Sequence, residues 1–154
     1  MSVLPIFQAT PRNADIQRAR GHSSVASAAY ISGRDVVEKR NGETVAHHRY
    51  ARKEEVLFSD LYVPKNAPDY VPRDPLAYWQ AREEFEDQYI RQRYRKTPEY
   101  AEERVQKAQI ALKQIIPLPS EWTADMMRDF GQRYAEAFAE EFGLPVHIAG
   151  HDDR

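Results

Sequence analysis

The sequence predicts an α/β protein of the α+β type, in which helices pack on one face of a mainly antiparallel sheet. Short β-prone segments alternate with two long stretches of helical periodicity, which is the pattern of a sheet covered by helices. Asn41-Gly42, between two pairs of β-prone residues, is typical of a tight hairpin. A chain of 154 residues is long enough to bury a core of its own. We therefore expect a single domain over residues 1–154.

The first third of the chain contains short elements. Residues 2–9 alternate weakly around a proline and predict an edge strand or first strand. Residues 11–22 are polar, carry three arginines and predict a loop that presents cations. Residues 23–32 predict a short alanine-rich helix that is capped by a serine and stopped by Gly33. Residues 35–48 predict the hairpin.

The middle of the chain predicts a strand followed by two helices. Residues 56–63 are β-rich, and residues 64–75 hold four prolines and predict an extended surface connection. Residues 75–95 carry apolar and aromatic side chains at helical spacing, which predicts one amphipathic helix. Thr97-Pro98 begins a second helix that runs to Ile110. Together these helices predict an added helical hairpin over about 74–110.

The last third predicts a strand, a helix and a strand. Residues 110–119 are rich in isoleucine and predict a buried strand. Residues 124–142 have the clearest helical period of the chain, with Thr123 as the cap and Gly143 as the stop. Residues 144–150 alternate and predict a closing strand.

Composition excludes several classes of protein. There are no cysteines, which excludes a disulfide framework, a thiolate zinc site and a cysteine nucleophile. No apolar run approaches the roughly 20 residues of a membrane span, and the first residues lack a basic, apolar leader. We therefore expect a cytoplasmic protein with no membrane partner. No glycine-rich phosphate loop, nucleophile elbow or zinc-protease motif is present.

The net charge of −2 hides an uneven distribution. Residues 1–53 contain nine Lys or Arg and four Asp or Glu, whereas residues 54–154 contain thirteen and twenty. The basic first third also contains His22, His47 and His48. Such a segment suits a phosphate backbone, although it also suits an ordinary solvated face.

Few side chains outside the carboxylates suit catalysis. Adjacent histidines on a strand, such as His47 and His48, point to opposite faces, so they do not share a metal. His147 and His151 point to the same face, but an extended chain separates them by roughly 13 Å, which is too far for one metal. Tyr30 ends the alanine-rich helix and follows the arginines of residues 11–22, so a phosphate held by those cations would lie near its phenol. On its own, a tyrosine in this position more often packs on the core.

Four segments, in order, carry a resemblance to one family. Residues 20–33 (RGHSSVASAAYISG) resemble the first motif of the MobA/MobL relaxases, plasmid mobilisation proteins that nick one DNA strand at a transfer origin. Residues 61–68 (LYVPKNAP) resemble the family's Leu-Pro-x-Asn-Ala-Pro segment, and a helix with Trp79 follows as expected. Residues 108–121 are similar to the strand that ends in Leu-Pro-x-Glu, and residues 144–152 are similar to the strand that carries the first metal-binding histidine.

The resemblance implies a relaxase-like fold and a tyrosine transesterase. Tyr30 would attack the scissile phosphate to give a 5′-phosphotyrosyl link, and His151 would be the first ligand of a divalent metal, Mg²⁺ or Mn²⁺. Its partners would be single-stranded transfer-origin DNA and other mobilisation proteins. The residues expected to contact DNA are basic and lie in the first third of the chain: Arg18, Arg20, His22, Arg34, His47, Arg49, Arg52 and Lys53.

The sequence departs from the family pattern at the metal site. The family's other two metal ligands form a His-hydrophobic-His pair on the next strand, and the sequence ends at Arg154 before such a pair, so we expect a chain truncated at its C-terminus. Lys113 and Ile115 stand where relatives have glutamates, and Lys65 is also a departure. An inactive relative that binds single-stranded DNA or a protein therefore stays open beside the relaxase. A helix-rich accessory protein is a third alternative.

Overall fold

The computed structural model describes residues 12–51 and 56–152. The strands are β1 (Arg12–Gln17), β2 (Val36–Arg40), β3 (Glu43–His48), β4 (Val56–Tyr62), β5 (Gln109–Ile115) and β6 (Val146–His151). The helices are α1 (Ser24–Ser32), α2 (Pro75–Arg93), α3 (Pro98–Gln106) and α4 (Ala124–Phe142). Within the described ranges, no helix is both long enough and apolar enough to cross a bilayer.

All strand pairs among the described residues are antiparallel, which confirms the predicted fold class. The pairs are β1 with β5, β2 with β3, and β4 with β6, so the strands form three two-stranded sheets and not one continuous sheet. Two of these pairs join distant parts of the chain. The β4–β6 pair sets Val56 opposite His151, which brings the end of the described chain back to its first half.

The hairpin and the helix stops follow their sequence signals. Asn41 and Gly42 form the two-residue turn between β2 and β3, and both have positive φ, 53° and 80°. Such a turn requires left-handed backbone at both positions, which Asn and Gly adopt at low cost. Gly33 and Gly143 end α1 and α4 in the left-handed conformation.

The loop prediction for residues 11–22 is wrong. Residues 12–17 form β1, and a 3₁₀ turn, Arg18–Arg20, follows it. The sequence lacks apolar alternation there because the strand is held by backbone hydrogen bonds to β5, which any polar residue can make. The strand predicted over residues 2–9 lies outside the described residues.

The strand predicted over residues 110–119 is displaced and more exposed than expected. It begins at Gln109 and ends at Ile115, and the preceding helix ends at Gln106. Ile110 is buried, but Leu112 and Ile115, whose side chains point to opposite faces of the strand, are both exposed. The isoleucine-rich segment over residues 110–119 therefore does not form a strand that is buried on both faces.

Two small apolar clusters lie near opposite ends of α2. Ile90 packs with Val105, Ala108 and Ile110, while Leu76 packs with Ala28 and Ala29 of α1. Trp79 contacts both clusters. The α2–α3 pair fills the segment predicted as a helical hairpin; that this pair is an insertion into the fold stays a prediction.

Candidate active site

The short helix α1 presents Tyr30 at its C-terminal end. Ser23 caps the helix, its hydroxyl accepting a hydrogen bond from the Ala26 N–H at 3.1 Å. Ala28 and Ala29 are buried against α2, and the next residue, Tyr30, therefore points outward with 45% of its surface exposed. A small-residue helix thus lies close to α2 and leaves its one tyrosine at the surface.

Among the residues that the structure describes, the rings of Tyr50 and His151 lie next to Tyr30. The Tyr50 ring meets it edge to face with 5.3 Å between centroids, and the His151 ring is tilted against it at 6.3 Å. His151 comes from β6, at the other end of the chain. The structure therefore places together the tyrosine and the last histidine that the sequence analysis selected separately.

One hydrogen bond fixes the orientation and tautomer of His151. Its Nε2 donates to the Ile31 carbonyl of α1 at 2.8 Å. In a neutral imidazole, Nδ1 then carries the lone pair. Metal-bound histidines characteristically hold their second nitrogen on a carbonyl in this way, so His151 has the chemistry of a metal ligand.

The described residues do not complete a metal site. Within 12–51 and 56–152, no group of three or more His, Cys, Asp or Glu side chains is arranged to hold an ion. His47 and His48 diverge as predicted, His47 being exposed and His48 bonding to Glu38. One imidazole does not hold Mg²⁺ or Mn²⁺ alone, because these ions take most of their ligands from oxygen.

His147 lies between three elements and serves as a connector. Its Nδ1 accepts a hydrogen bond from the Trp79 indole at 3.2 Å, and its Nε2 lies 2.8 Å from the Ser59 hydroxyl and 3.2 Å from that of Ser32. An indole only donates, so Nδ1 is the acceptor and Nε2 carries the proton. Burial lowers the pKa of His147 to about 4, so the ring is neutral at pH 7. His147 therefore connects β6 to α1, β4 and α2, and it contacts α1 at the end that carries Tyr30.

A buried group of charges anchors the start of α1. Its carboxylates are Glu83 and Asp87 of α2, with exposures of 0% and 2%, and its cations are Arg18 and Arg40. Glu83 also accepts hydrogen bonds from the N–H and the hydroxyl of Ser24. The sequence analysis missed this group, because α2 was expected to bury only apolar side chains.

Arg18 was predicted to contact DNA, but the structure places its side chain in the interior. Its guanidinium is only 6% exposed and binds both carboxylates and the carbonyls of Glu83 and Val105. The strand β1 and the 3₁₀ turn hold it inside the protein, whereas the prediction assumed an open loop. Arg18 is therefore a structural residue that links the N-terminal strand to α2.

The other predicted DNA contacts in the described residues lie at the surface. Arg34 is half exposed and pairs with Asp74 at 2.5 Å, and the His22 Nδ1 accepts from the Gln17 N–H. Burial tends to raise the pKa of Asp74, but the hydrogen bond and charge of Arg34 together with the backbone N–H groups of Ala77 and Leu76 outweigh it, and the pKa is lowered. Exposed members of the set are Arg20, His22, Arg34, His47 and Arg49. Arg52 and Lys53 lie outside the described residues.

Comparisons with known proteins agree on a family. A profile of the MobA/MobL family matches residues 22–154. The chain is 27% identical over 139 residues to mobilization protein MobL of Acidithiobacillus ferridurans, covering 90% of this chain and 30% of the relative. It is 28% identical over 139 residues to a probable mobilization protein MobA of Bifidobacterium longum (strain NCC 2705), covering 90% of this chain and 21% of the relative. The chain thus spans less than a third of these relatives.

One solved structure has a similar fold. It was reported as the molecular basis of vancomycin resistance transfer in Staphylococcus aureus, and it superposes with a TM-score of 0.71 at 21% identity. The superposition covers 93% of this chain and 62% of that one. At this identity the likeness concerns the fold alone. Because the family profile covers most of the sequence, the chain belongs to the MobA/MobL family of mobilisation proteins.

Proposed function

We propose that this chain is the relaxase part of a mobilisation protein, which nicks one DNA strand at a transfer origin and keeps it as a covalent adduct. The observation that carries the proposal is the position of Tyr30, exposed at the end of α1 and 6.3 Å from the His151 ring between centroids. A surface phenol beside an imidazole that can bind a metal is suitably placed to attack a phosphodiester that the metal would polarise. The family assignment points the same way.

The proposed step is a transesterification. The Tyr30 oxygen forms a bond to phosphorus, and the bond from phosphorus to the 3′ oxygen of the preceding nucleotide breaks. The phenol loses its proton and the leaving oxygen gains one, which gives a 5′-phosphotyrosyl link and a free 3′ hydroxyl. One phosphate ester replaces another, so the energy needed to rejoin the strand is kept.

The chain's own residues supply the nucleophile and its positioning. The Ile31 carbonyl holds His151, and His147 and Ser32 hold the end of α1, so the phenol is set before DNA arrives. We propose His151 as the first ligand of a divalent metal that would polarise the phosphate when bound. Among the described residues, His151 has no neighbouring group that would complete the set of metal ligands.

The proposed partners are single-stranded transfer-origin DNA and other mobilisation proteins, in the cytoplasm. Arg20, His22, Arg34, His47 and Arg49 are exposed and remain proposed contacts to the DNA backbone. The same role for Arg52 and Lys53 stays a prediction. A second candidate function is single-stranded DNA binding without cleavage, which the incomplete metal set among the described residues favours.

The test is adduct formation by the full-length protein on labelled transfer-origin DNA with Mg²⁺ or Mn²⁺. Wild type should give a protein–DNA band that resists denaturant, and Tyr30→Phe should give none while still binding the DNA. Tyr70→Phe is the matched control, because Tyr70 is 85% exposed and lies in the proline-rich connection. An equal adduct from Tyr30→Phe would reject the nucleophile. Binding without an adduct in any metal would establish the second candidate.

A further inference from the structure

The outer edge of α2 carries two exposed aromatic rings that the core does not use. Phe85 and Tyr89 are one helical turn apart, 61% and 49% exposed, and their rings are within 15° of parallel with 6.2 Å between centroids. Glu83, Asp87 and Ile90 occupy the buried face of α2, and the two rings lie on the opposite face. Two parallel aromatic faces are thus left open to solvent.

A cluster of cations continues from these rings into the turn between α2 and α3. Residues 93–97 line a shallow cleft, and three of them, Arg93, Arg95 and Lys96, are exposed cations. Arg93 donates to the Tyr89 hydroxyl at 3.2 Å, so rings and cations form one surface. In the part of the chain that the structure describes, none of the three cations forms an ion pair with a carboxylate, whereas neighbouring Arg91 is paired with Glu102.

This surface lies at the far end of α2 from Tyr30. Leu76 packs on Ala28 and Ala29 next to Tyr30, and Arg93 is 17 residues further along the same helix. At about 1.5 Å per residue, the two ends are about 25 Å apart. A stacked strand that advances about 3.4 Å per nucleotide would cover this distance with seven or eight nucleotides.

We propose that Phe85, Tyr89 and residues 93–97, together the α2 aromatic-cation surface, form a second contact for single-stranded DNA, with bases stacked on the rings and phosphates at the cations. Parallel rings one turn apart offer flat faces to successive bases, and the cations beside them, which form no ion pair within the described residues, supply the complementary charge. An acidic peptide would use the cations but would leave the parallel rings without a role. The choice of DNA as the polyanion rests on the proposed function.

The experiment measures binding of the 154-residue chain to fluorescent oligothymidines by anisotropy at several salt concentrations. A strand of about 20 nucleotides spans both ends of α2, and one of about 6 nucleotides does not. The charge variant is Arg93→Ala with Arg95→Ala and Lys96→Ala. Its matched control, Arg104→Ala with Lys107→Ala and Arg133→Ala, removes the same number of exposed cations from α3, its C-terminal cap and α4.

The charge variant should bind the long strand at least tenfold more weakly than the control does. Its slope of log affinity against log salt should be shallower by about 2, since each single-strand phosphate contact contributes about 0.7. Affinity for the short strand should match that of the control. The aromatic variant, Phe85→Ala with Tyr89→Ala, should lose at least about fivefold on the long strand and nothing on a strand of abasic spacers.

Each contrary result has a distinct meaning. Equal long-strand affinity and slope in the charge variant and the control would overturn the second contact and leave the proposed function intact. Loss of polyglutamate binding by the charge variant, with unchanged DNA binding, would assign the surface to an acidic protein and also overturn it. Failure of wild type to bind either strand would overturn the second contact, whereas the proposed function fails only if the full-length protein forms no adduct on transfer-origin DNA or Tyr30→Phe forms an equal one.

Discussion

Glu83 of α2 accepts two hydrogen bonds from Ser24, one from its backbone N–H at 3.1 Å and one from its hydroxyl at 2.7 Å. Ser24 is the first residue of α1, so a carboxylate from one helix stabilises the N-terminus of another. Burial alone would raise the pKa of Glu83, but the hydrogen bonds from Ser24 and Arg18 and the nearby guanidinium charges outweigh it and lower the pKa. Glu83 is therefore ionised and holds the helix that carries Tyr30.

Glu83→Gln should lower the free energy of unfolding by about 3–5 kcal/mol, because it leaves Arg18 and Arg40 buried with less compensating charge. Urea titration followed by circular dichroism measures the change. Glu84→Gln is the control. The Glu84 carboxylate accepts a hydrogen bond from Gln80 near the surface, so this substitution should change the free energy of unfolding by less than about 0.5 kcal/mol. Equal stability of the two variants would contradict the proposed anchoring.

Arg18→Ala and Arg20→Ala should separate stability from DNA binding. The Arg18 guanidinium is almost fully buried, so its loss should destabilise the chain by about 3 kcal/mol or more and leave the salt slope of DNA binding unchanged in the folded protein. Arg20 is exposed two residues later, so its loss should leave stability within about 0.5 kcal/mol and reduce the slope by about 0.7. A reduced slope for Arg18→Ala would restore it as a DNA contact.

The neutral state of His147 should make the protein less stable in mild acid. The unfolded chain binds a proton near the ordinary pKa of 6.5, whereas the folded ring does so only near about 4. The free energy of unfolding should therefore fall as pH drops from about 6.5 to about 4, by up to about 3 kcal/mol. His147→Asn should flatten this part of the profile. Urea midpoints at several pH values measure it, and an unchanged slope in His147→Asn would reject His147 as the cause.

Local signals in the sequence predicted the elements with tight turns and caps. The turn at Asn41 and Gly42 requires a left-handed backbone, which few residue types adopt at low cost. The Ser23 hydroxyl accepts a hydrogen bond from a backbone N–H of the helix that it caps. Because each of these interactions joins residues that are close in sequence, it can be recognised from the sequence alone. The same holds for Gly143, which ends α4 in the left-handed conformation.

Tertiary contacts decided what the sequence did not predict. The sequence predicted an amphipathic helix over residues 75–95, yet α2 also buries the carboxylates of Glu83 and Asp87, because Arg18 and Arg40 come from distant elements to pair with them. A buried carboxylate is stable only with its partners, and nothing near it in the sequence identifies them. The approach of His151 to Tyr30 likewise depends on the β4–β6 pairing; the family motifs selected both residues but did not predict their separation.

Gly150 should tolerate no larger side chain, because β6 passes directly over the Phe58 ring. A methyl group at this position would lie 2.6 Å from Phe58 Cζ, which is closer than carbon atoms pack, so the ring or the strand would have to shift. Gly150→Ala should lower the free energy of unfolding by about 1–3 kcal/mol.

Because His151 follows Gly150 directly, the same substitution should also move the imidazole away from the Ile31 carbonyl and reduce adduct formation in the full-length protein. A second change, Phe58→Leu, opens the space that the methyl group needs. It should restore much of the stability and adduct lost in Gly150→Ala, although Phe58→Leu alone destabilises the chain. If the double variant is no better than Gly150→Ala in both measurements, the steric contact with Phe58 is not what fixes the end of β6.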